Sequence, residues 1–217
     1  MKIHIITIFP ESFESYFSTS ILKKAILNKN LEINFYKLND FSTLPTKRVD
    51  EKAFWMHWQV ISPEPLKKAI DFVLNKIWKK VKIVYLTPSG ELLTQQKVEN
   101  YYKELSTEFI IICGHYEWID QRIIDKYVDY SISIWEYVIS SGELSSMVFI
   151  DSLVRHIPGV LWNQLSLEED SFWAKLNRQK EYPVYTKPRV FEGLEVPEVL
   201  FSWNHKEISA WKSKNLR

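Results

Sequence analysis

Glycine is scarce in this chain: its 217 residues include 5 glycines, where average usage of about 7% would give roughly 15. Collagen-like and glycine-rich linker readings are therefore excluded, and no G-x-G-x-x-G fingerprint or Walker-type lysine is present, so the usual nucleotide-phosphate loops are absent. Cysteine is nearly absent as well. The single Cys113 can form no internal disulfide and cannot build a metal site by itself, in keeping with a reducing compartment. No apolar run approaches the roughly 18 to 20 residues of a membrane span, and the start Met1-Lys2-Ile3-His4-Ile5 lacks a signal-peptide pattern. A cytoplasmic protein with no membrane partner is expected. A strong charge of either sign is also missing. With 28 basic and 27 acidic residues the net charge is +1, so a nucleic-acid partner cannot be argued from charge alone and must meet a local basic patch. Against these shortages stand 9 tryptophans, and the 46% apolar, 25% charged balance is that of a globular chain.

Short β-branched runs alternate with amphipathic stretches. Lys2 to Ile8, Leu31 to Tyr36, Lys82 to Leu86, Phe109 to Cys113 and Tyr130 to Ile134 read as strands, and Phe109 to Cys113 has no polar side chain, as suits a parallel strand covered on both faces. One helix is expected from Phe13 to Ala25 and another from Pro63, with Ser62 as N-cap and Leu66, Ala69, Ile70, Val73 and Ile77 as its buried stripe. A third carries Val98, Tyr101, Tyr102 and Leu105, and a fourth runs from Glu143 to Ile157, stopped by Pro158-Gly159. Residues 39 to 60 have no periodicity and read as a long loop. In the last helix, Asn204 with Glu207 three residues on makes a capping box. The pattern is an α/β fold with a parallel sheet. Three regions are expected: a larger domain over residues 1–160, a polar linker over 161–181, and a small domain over 182–217.

Loops leaving the carboxyl ends of parallel strands, here Leu86 to Gly90, Cys113 to Glu117 and Ile134 to Gly142, are where ligands bind in open α/β sheets. Simple turn chemistry explains the same residues equally well. Asp170 could be a general base, or a helix cap or solvated acid. Arg155 could steady developing negative charge, or form a surface ion pair. His115 and His205 lack metal-ligand spacing, and no metal is assigned to them.

Several blocks carry a family resemblance. Ile8-Phe9-Pro10-Glu11-Ser12-Phe13, Val49-Asp50, Tyr85-Leu86-Thr87-Pro88-Ser89-Gly90, Cys113-Gly114-His115-Tyr116-Glu117 and Tyr137-Val138-Ile139-Ser140-Ser141-Gly142-Glu143-Leu144 resemble the bacterial tRNA (guanine-N1)-methyltransferases. So do Ile150-Asp151-Ser152, Arg155-His156-Ile157-Pro158-Gly159, Glu169-Asp170-Ser171-Phe172, Tyr185-Thr186-Lys187-Pro188 and Trp203-Asn204-His205, in the same order over nearly the whole chain.

The resemblance implies the SPOUT class: an α/β parallel sheet with a deep trefoil knot, followed by a small, mainly helical C-terminal domain. It implies an obligate homodimer that takes a methyl group from S-adenosylmethionine and places it on N1 of guanosine 37, the nucleotide 3′ of the tRNA anticodon. Asp170 matches the base that removes the N1 proton and Arg155 the group facing the guanine oxygen. Leu86, Thr87, Pro88, Gly114, Tyr116, Glu117, Trp118, Ile134, Trp135, Tyr137, Ile139, Ser141 and Gly142 match cofactor-loop positions. Asp50, Lys187, Arg189 and Lys206 are the expected RNA contacts. Family members are reported to need Mg2+, whose site the sequence does not place. The alternatives are an inactive SPOUT homologue that binds RNA, and a SPOUT enzyme acting on another RNA.

The chain also departs from the family pattern. Trp55, Trp58, Trp118, Trp135, Trp162 and Trp203 stand where the family has glycine, whereas Trp211 matches a family tryptophan. The hypothesis is that a UGA codon meaning glycine in the source organism is read here as tryptophan, which would move the glycine count towards the ordinary proportion. Ser141 and Ser145 replace an expected glycine and proline, and Glu136 an expected aspartate. Arg217 falls before a C-terminal helical portion common in the family.

Overall fold

The computed structural model describes residues 1–55, 57–105, 107–115, 118–162 and 168–217. Two compact units are present, Met1–Leu161 and Trp162–Arg217.

The first unit is built on a five-stranded, all-parallel sheet. Its strands are β1 (Lys2–Thr7), β2 (Glu32–Lys37), β5 (Lys82–Leu92), β6 (Glu108–Cys113) and β8 (Tyr130–Ser133), in the order β2-β1-β6-β5-β8. The two-residue period of the strands sorts their side chains into two cores. Ile3, Ile5, Val84, Leu86, Phe109, Ile111 and Ile132 enter one core, with Phe149, Ile150 and Leu153. Ile6, Ile83, Tyr85, Ile110 and Ile112 enter the other, with Leu66, Ala69, Ile70 and Val73. Truncating a fully buried member such as Ile111 to alanine costs about 2–5 kcal/mol. Burial on both faces explains the unbroken apolar run of β6.

The helix α3 (Pro63–Ile77) begins after Ser62 with proline in its first turn, and buries Leu66, Ala69, Ile70 and Val73. Glu64 with Lys68, and Lys67 with Asp71, make i,i+4 ion pairs on its outer side. The helices α4 (Gln95–Leu105), α5 (Gln121–Tyr127) and α6 (Gly142–Val154) complete the layers. In α5 the Asp120 carboxylate accepts from the Arg122 backbone N–H, the N-cap bond that the first turn leaves open.

Three expectations are corrected. The helix expected from Phe13 to Ala25 is broken into α1 (Glu14–Phe17) and α2 (Ser20–Leu27), because Ser20 adopts φ 48 and the ladder cannot pass through it. Residues 39 to 60 are not one loop: β3 (Asp50–Lys52) and β4 (Gln59–Ile61) form an antiparallel hairpin, with β7 (Trp118–Ile119) parallel beside it. Strands of three charged or mixed residues leave no readable alternation. The turn at Thr87 to Gly90 does not end its strand. Both Leu86 and Glu91 pair with Ile132, so residues 87–90 bulge out and β5 resumes beyond them.

In the second unit, a two-residue hairpin pairs β9 (Val190–Phe191) with β10 (Leu194–Glu195), and the last helix, His205–Lys214, follows. Asn204 caps that helix, its side chain accepting from the backbone N–H groups of Lys206 and Glu207. The return half of the expected capping box is replaced: the Asn204 N–H donates to Ser202 Oγ at 3.2 Å. Residues 168–181 are tied into this unit, with Lys180 and Arg217 exchanging backbone hydrogen bonds at 2.9 and 3.1 Å.

Candidate active site

A cleft opens where the chain leaves β6 and β8 and where β5 bulges at residues 87–90. Two glycines meet in its lining. The Gly142 N–H donates to the Gly114 carbonyl at 2.7 Å, and a Cβ on Gly142 would lie 2.5 Å from the Gly114 nitrogen. Only glycine permits that approach of the first turn of α6 to the end of β6. The hydroxyls of Ser145 and Ser146 donate back to the Gly142 carbonyl at 3.0 and 2.7 Å, so the turn carrying Gly142 is fixed by its own helix. Ser133 Oγ donates to the Trp135 carbonyl at 2.7 Å and holds the third loop.

Beneath the cleft lies a buried polar relay. The Thr7 hydroxyl donates to the Glu143 carboxylate at 2.5 Å and accepts from the Phe9 N–H at 3.0 Å. Glu143 is 1% exposed, and its Oε2 has no hydrogen-bond partner among the described residues. The relay pins the start of α6 to the end of β1. Cys113, hydrogen-bonded to Ser146 at 3.2 Å, is completely buried, and burial pushes its thiol far above the ordinary value. Burial likewise raises the Tyr85 phenol, which lines the cleft floor.

Ten of the expected cofactor residues, Leu86, Thr87, Pro88, Gly114, Trp118, Ile134, Tyr137, Ile139, Ser141 and Gly142, line this one cleft. Trp135 sits in the same loop but does not line it. Tyr116 and Glu117 lie outside the described residues. His115 also lines the cleft and meets the Phe9 ring edge-on at 4.9 Å. In the sequence His115 is weighed only as a metal ligand, although its place beside Gly114 is the available signal. The cavity volume is about 80 Å³, below the roughly 300–1,000 Å³ of small-molecule pockets. The Trp118 indole helps to fill it, packed against Trp58 with ring centroids 4.8 Å apart.

The profile of the tRNA (Guanine-1)-methyltransferase TrmD family matches residues 1–217. The chain belongs to the TrmD family. Among TrmD-type relatives, the tRNA (guanine-N(1)-)-methyltransferase of Alkaliphilus metalliredigens (strain QYMF) is 44% identical over 217 residues, which is 99% of this chain and 86% of the relative. The protein of the same name from Clostridioides difficile (strain 630) is 42% identical over 98% of this chain and 90% of its own. The crystal structure of the tRNA (m1G37) methyltransferase from Aquifex aeolicus is similar in fold, with a TM-score of 0.78 and 32% identity over 99% of this chain and 88% of that one.

The other expected site residues are spread along the chain. Arg155 directly follows α6, whose N-terminal end forms the cleft. A helix of 13 residues spans about 20 Å, so within one chain Arg155 stands a helix length from Gly142. Asp170 belongs to the second unit, where its carbonyl accepts from the Trp173 N–H at 3.2 Å. Its neighbour Glu169 is held by Lys212 at 2.9 Å and by the Tyr182 hydroxyl. The bond to Lys212 and that hydroxyl keep the Glu169 carboxyl below its usual range. Of the expected RNA contacts, Lys187, Arg189 and Lys206 are exposed. Asp50 is buried, and its two carboxylate oxygens accept from Arg48 at 3.2 and 3.1 Å. The group that Asp50 presents outward is therefore the half-exposed Arg48 guanidinium.

Proposed function

We propose that the chain is a tRNA (guanine-N1)-methyltransferase that acts on guanosine 37, with S-adenosylmethionine as donor and a homodimer as the active form. The observation that carries this reading is the convergence of ten expected donor-site residues on the cleft closed by Gly114 and Gly142. The donor supplies an electrophilic methyl group on a sulfonium. The residues fit it in kind: Leu86, Ile132, Ile134 and Ile139 offer an apolar lining for a purine, and the Gly114 and Gly142 backbone allows close approach where a Cβ would intrude.

The acceptor chemistry needs a base. N1 of guanine carries a proton at neutral pH, so its lone pair is unavailable until that proton leaves. Asp170 takes the N1 proton, and Arg155 faces the guanine oxygen as charge builds there, a charge-assisted contact of the strong kind. The buried relay from Thr7 to Glu143 holds the start of α6 while this happens.

The geometry of α6 supports a dimer. Its length keeps Arg155 a helix away from the cleft of its own chain, so we assign Arg155 to the partner's cleft, and Asp170 with it as the family resemblance implies. The helix is apolar on both sides: Phe149, Ile150 and Leu153 are buried, while Leu144 and Val148 are exposed, beside exposed Tyr137 and Val138. Exposed apolar side chains such as Leu144 and Val148 are commonly covered by a partner, and a second copy would cover these. The trefoil knot of the SPOUT class is part of the proposal, supported by the closure of Gly142 on Gly114. Lys187, Arg189 and Lys206, with Arg48 in place of Asp50, would meet phosphates. Among the described residues no group of three or more His, Cys, Asp or Glu could hold a metal, and a Mg2+ site is not proposed. Among the described residues no helix is long and apolar enough to cross a membrane, and a tRNA substrate supports a cytoplasmic location.

The test uses the full chain made with glycine at Trp55, Trp58, Trp118, Trp135, Trp162 and Trp203, the donor, and tRNA transcripts bearing guanosine 37. N1-methylguanosine at that nucleotide is expected. Methylation of another nucleotide, or donor binding without turnover, would contradict the reading.

A further inference from the structure

Three tryptophans of this chain occupy backbone that suits glycine. Among the described residues ten non-glycine positions have φ in the left-handed region, and three of them are tryptophan: Trp55 at 71°, Trp78 at 57° and Trp203 at 58°. Only two of the five glycines, Gly159 and Gly193, have such a φ. A side chain with a Cβ is strained there, and a bulky one is unusual. Trp55 and Trp203 are among the six positions at which the family resemblance suggests glycine. Trp78 is not.

Trp78 ends α3. Its φ of 57 and ψ of 22 are left-handed, and its N–H reaches back to the Leu74 carbonyl at 3.1 Å. This is the helix stop at which glycine is the usual residue, because it closes the last turn without a Cβ penalty. The indole gains nothing in return. Trp78 is 91% exposed, like Trp55 at 101%, Trp162 at 103% and Trp203 at 88%, whereas tryptophan is ordinarily among the more buried residues on average. Trp211 shows the contrast. It is partly buried, packs against Tyr182 and Tyr185 at 6.5 and 6.3 Å, and sits within a helix. Exposure and left-handed backbone thus set Trp55, Trp78 and Trp203 apart from Trp211 without reference to any relative.

We propose that residue 78 is glycine in the natural protein, encoded by the same UGA codon inferred for the other six, so that α3 ends in an ordinary glycine stop. The proposal does not rest on the reaction proposed above; a glycine form that binds no donor counts against that reaction and leaves the decoding untouched. Sequencing the gene, and measuring the mass of the peptide spanning residue 78 from protein isolated from the source organism, tests it. UGA at residue 78, UGG at Trp211 and a glycine-mass peptide are expected. UGG at residue 78, or a tryptophan-mass peptide, overturns it. In the full recombinant chain, Trp78→Gly raises Tm by roughly 2–4 °C, while Trp211→Gly lowers it. A Trp78→Gly chain that melts lower than its parent overturns the claim that this helix end is built for glycine.

Discussion

The Lys212 ammonium lies 2.9 Å from the Glu169 carboxylate, so the last helix is bonded to the residue immediately before Asp170. Tyr182 joins the pair from the other side, its hydroxyl donating to Glu169 and its ring lying 4.6 Å beneath the Lys212 ammonium. The linker acid and the C-terminal helix therefore move together within their unit.

Removing this tie should affect turnover more than folding. Glu169 is about half exposed, and pairs of that kind contribute at most about 1 kcal/mol. Glu169→Gln is expected to leave Tm within a few degrees but to lower kcat several-fold at unchanged KM for the donor. The pH dependence has a definite sign. The Glu169 carboxyl is held below its usual range, chiefly by its bond to Lys212, so the tie is whole above the ordinary carboxylate range and is lost as pH falls through the lowered value. A steady-state pH series in which Glu169→Gln matches the parent throughout would remove the positioning role.

Gly142→Ala places a Cβ 2.5 Å from the Gly114 nitrogen, a contact that backbone on both sides must absorb. Donor affinity measured by calorimetry is expected to fall by at least tenfold, with the secondary structure by circular dichroism retained. Unchanged affinity would show that the close approach of the two loops is not part of the donor site.

Cys113 gives a chemical probe of the same floor. Burial keeps its thiol neutral well above the ordinary range, so a thiol reagent at mildly alkaline pH is expected to leave the folded protein unlabelled and to react once denaturant is added. The linkage runs the same way. In the unfolded chain the thiol ionises near its ordinary value, so the Cys113 contribution to stability is complete below that pH and declines as pH rises towards the folded value. Rapid labelling of the folded chain would mean that the packing around Ser146 is open.

The five parallel strands are legible in the amino-acid sequence as β-branched runs, because burial on both faces of a sheet demands apolar side chains at every position, as in Phe109 to Cys113. Two of the three donor loops follow from the ends of β6 and β8, while the third is a bulge within β5. The hairpin over residues 50–61 is illegible because its strands are three residues long and Asp50-Glu51-Lys52 carries no alternation. The bulge at Thr87 to Gly90 reads as a turn, since turn residues serve both purposes. Asp50 is expected to contact RNA, and only its geometry with Arg48 shows that its carboxylate is held inside an ion pair. Trp78 carries no sequence signal of its own; the strain there lies in φ.

Mixing two defective proteins shows whether a donor held in the cleft of one chain meets Asp170 and Arg155 of its partner. Asp170→Ala keeps the cleft and loses the base, at an expected cost of about 10²–10⁴ in rate; Gly142→Ala keeps the base and loses the cleft. Each alone is expected to methylate tRNA feebly. Co-expressed as mixed dimers, they should regain a substantial fraction of parental N1-methylguanosine formation, because one of the two sites then combines an intact cleft with an intact Asp170. Mixed dimers no more active than either parent variant would contradict the account.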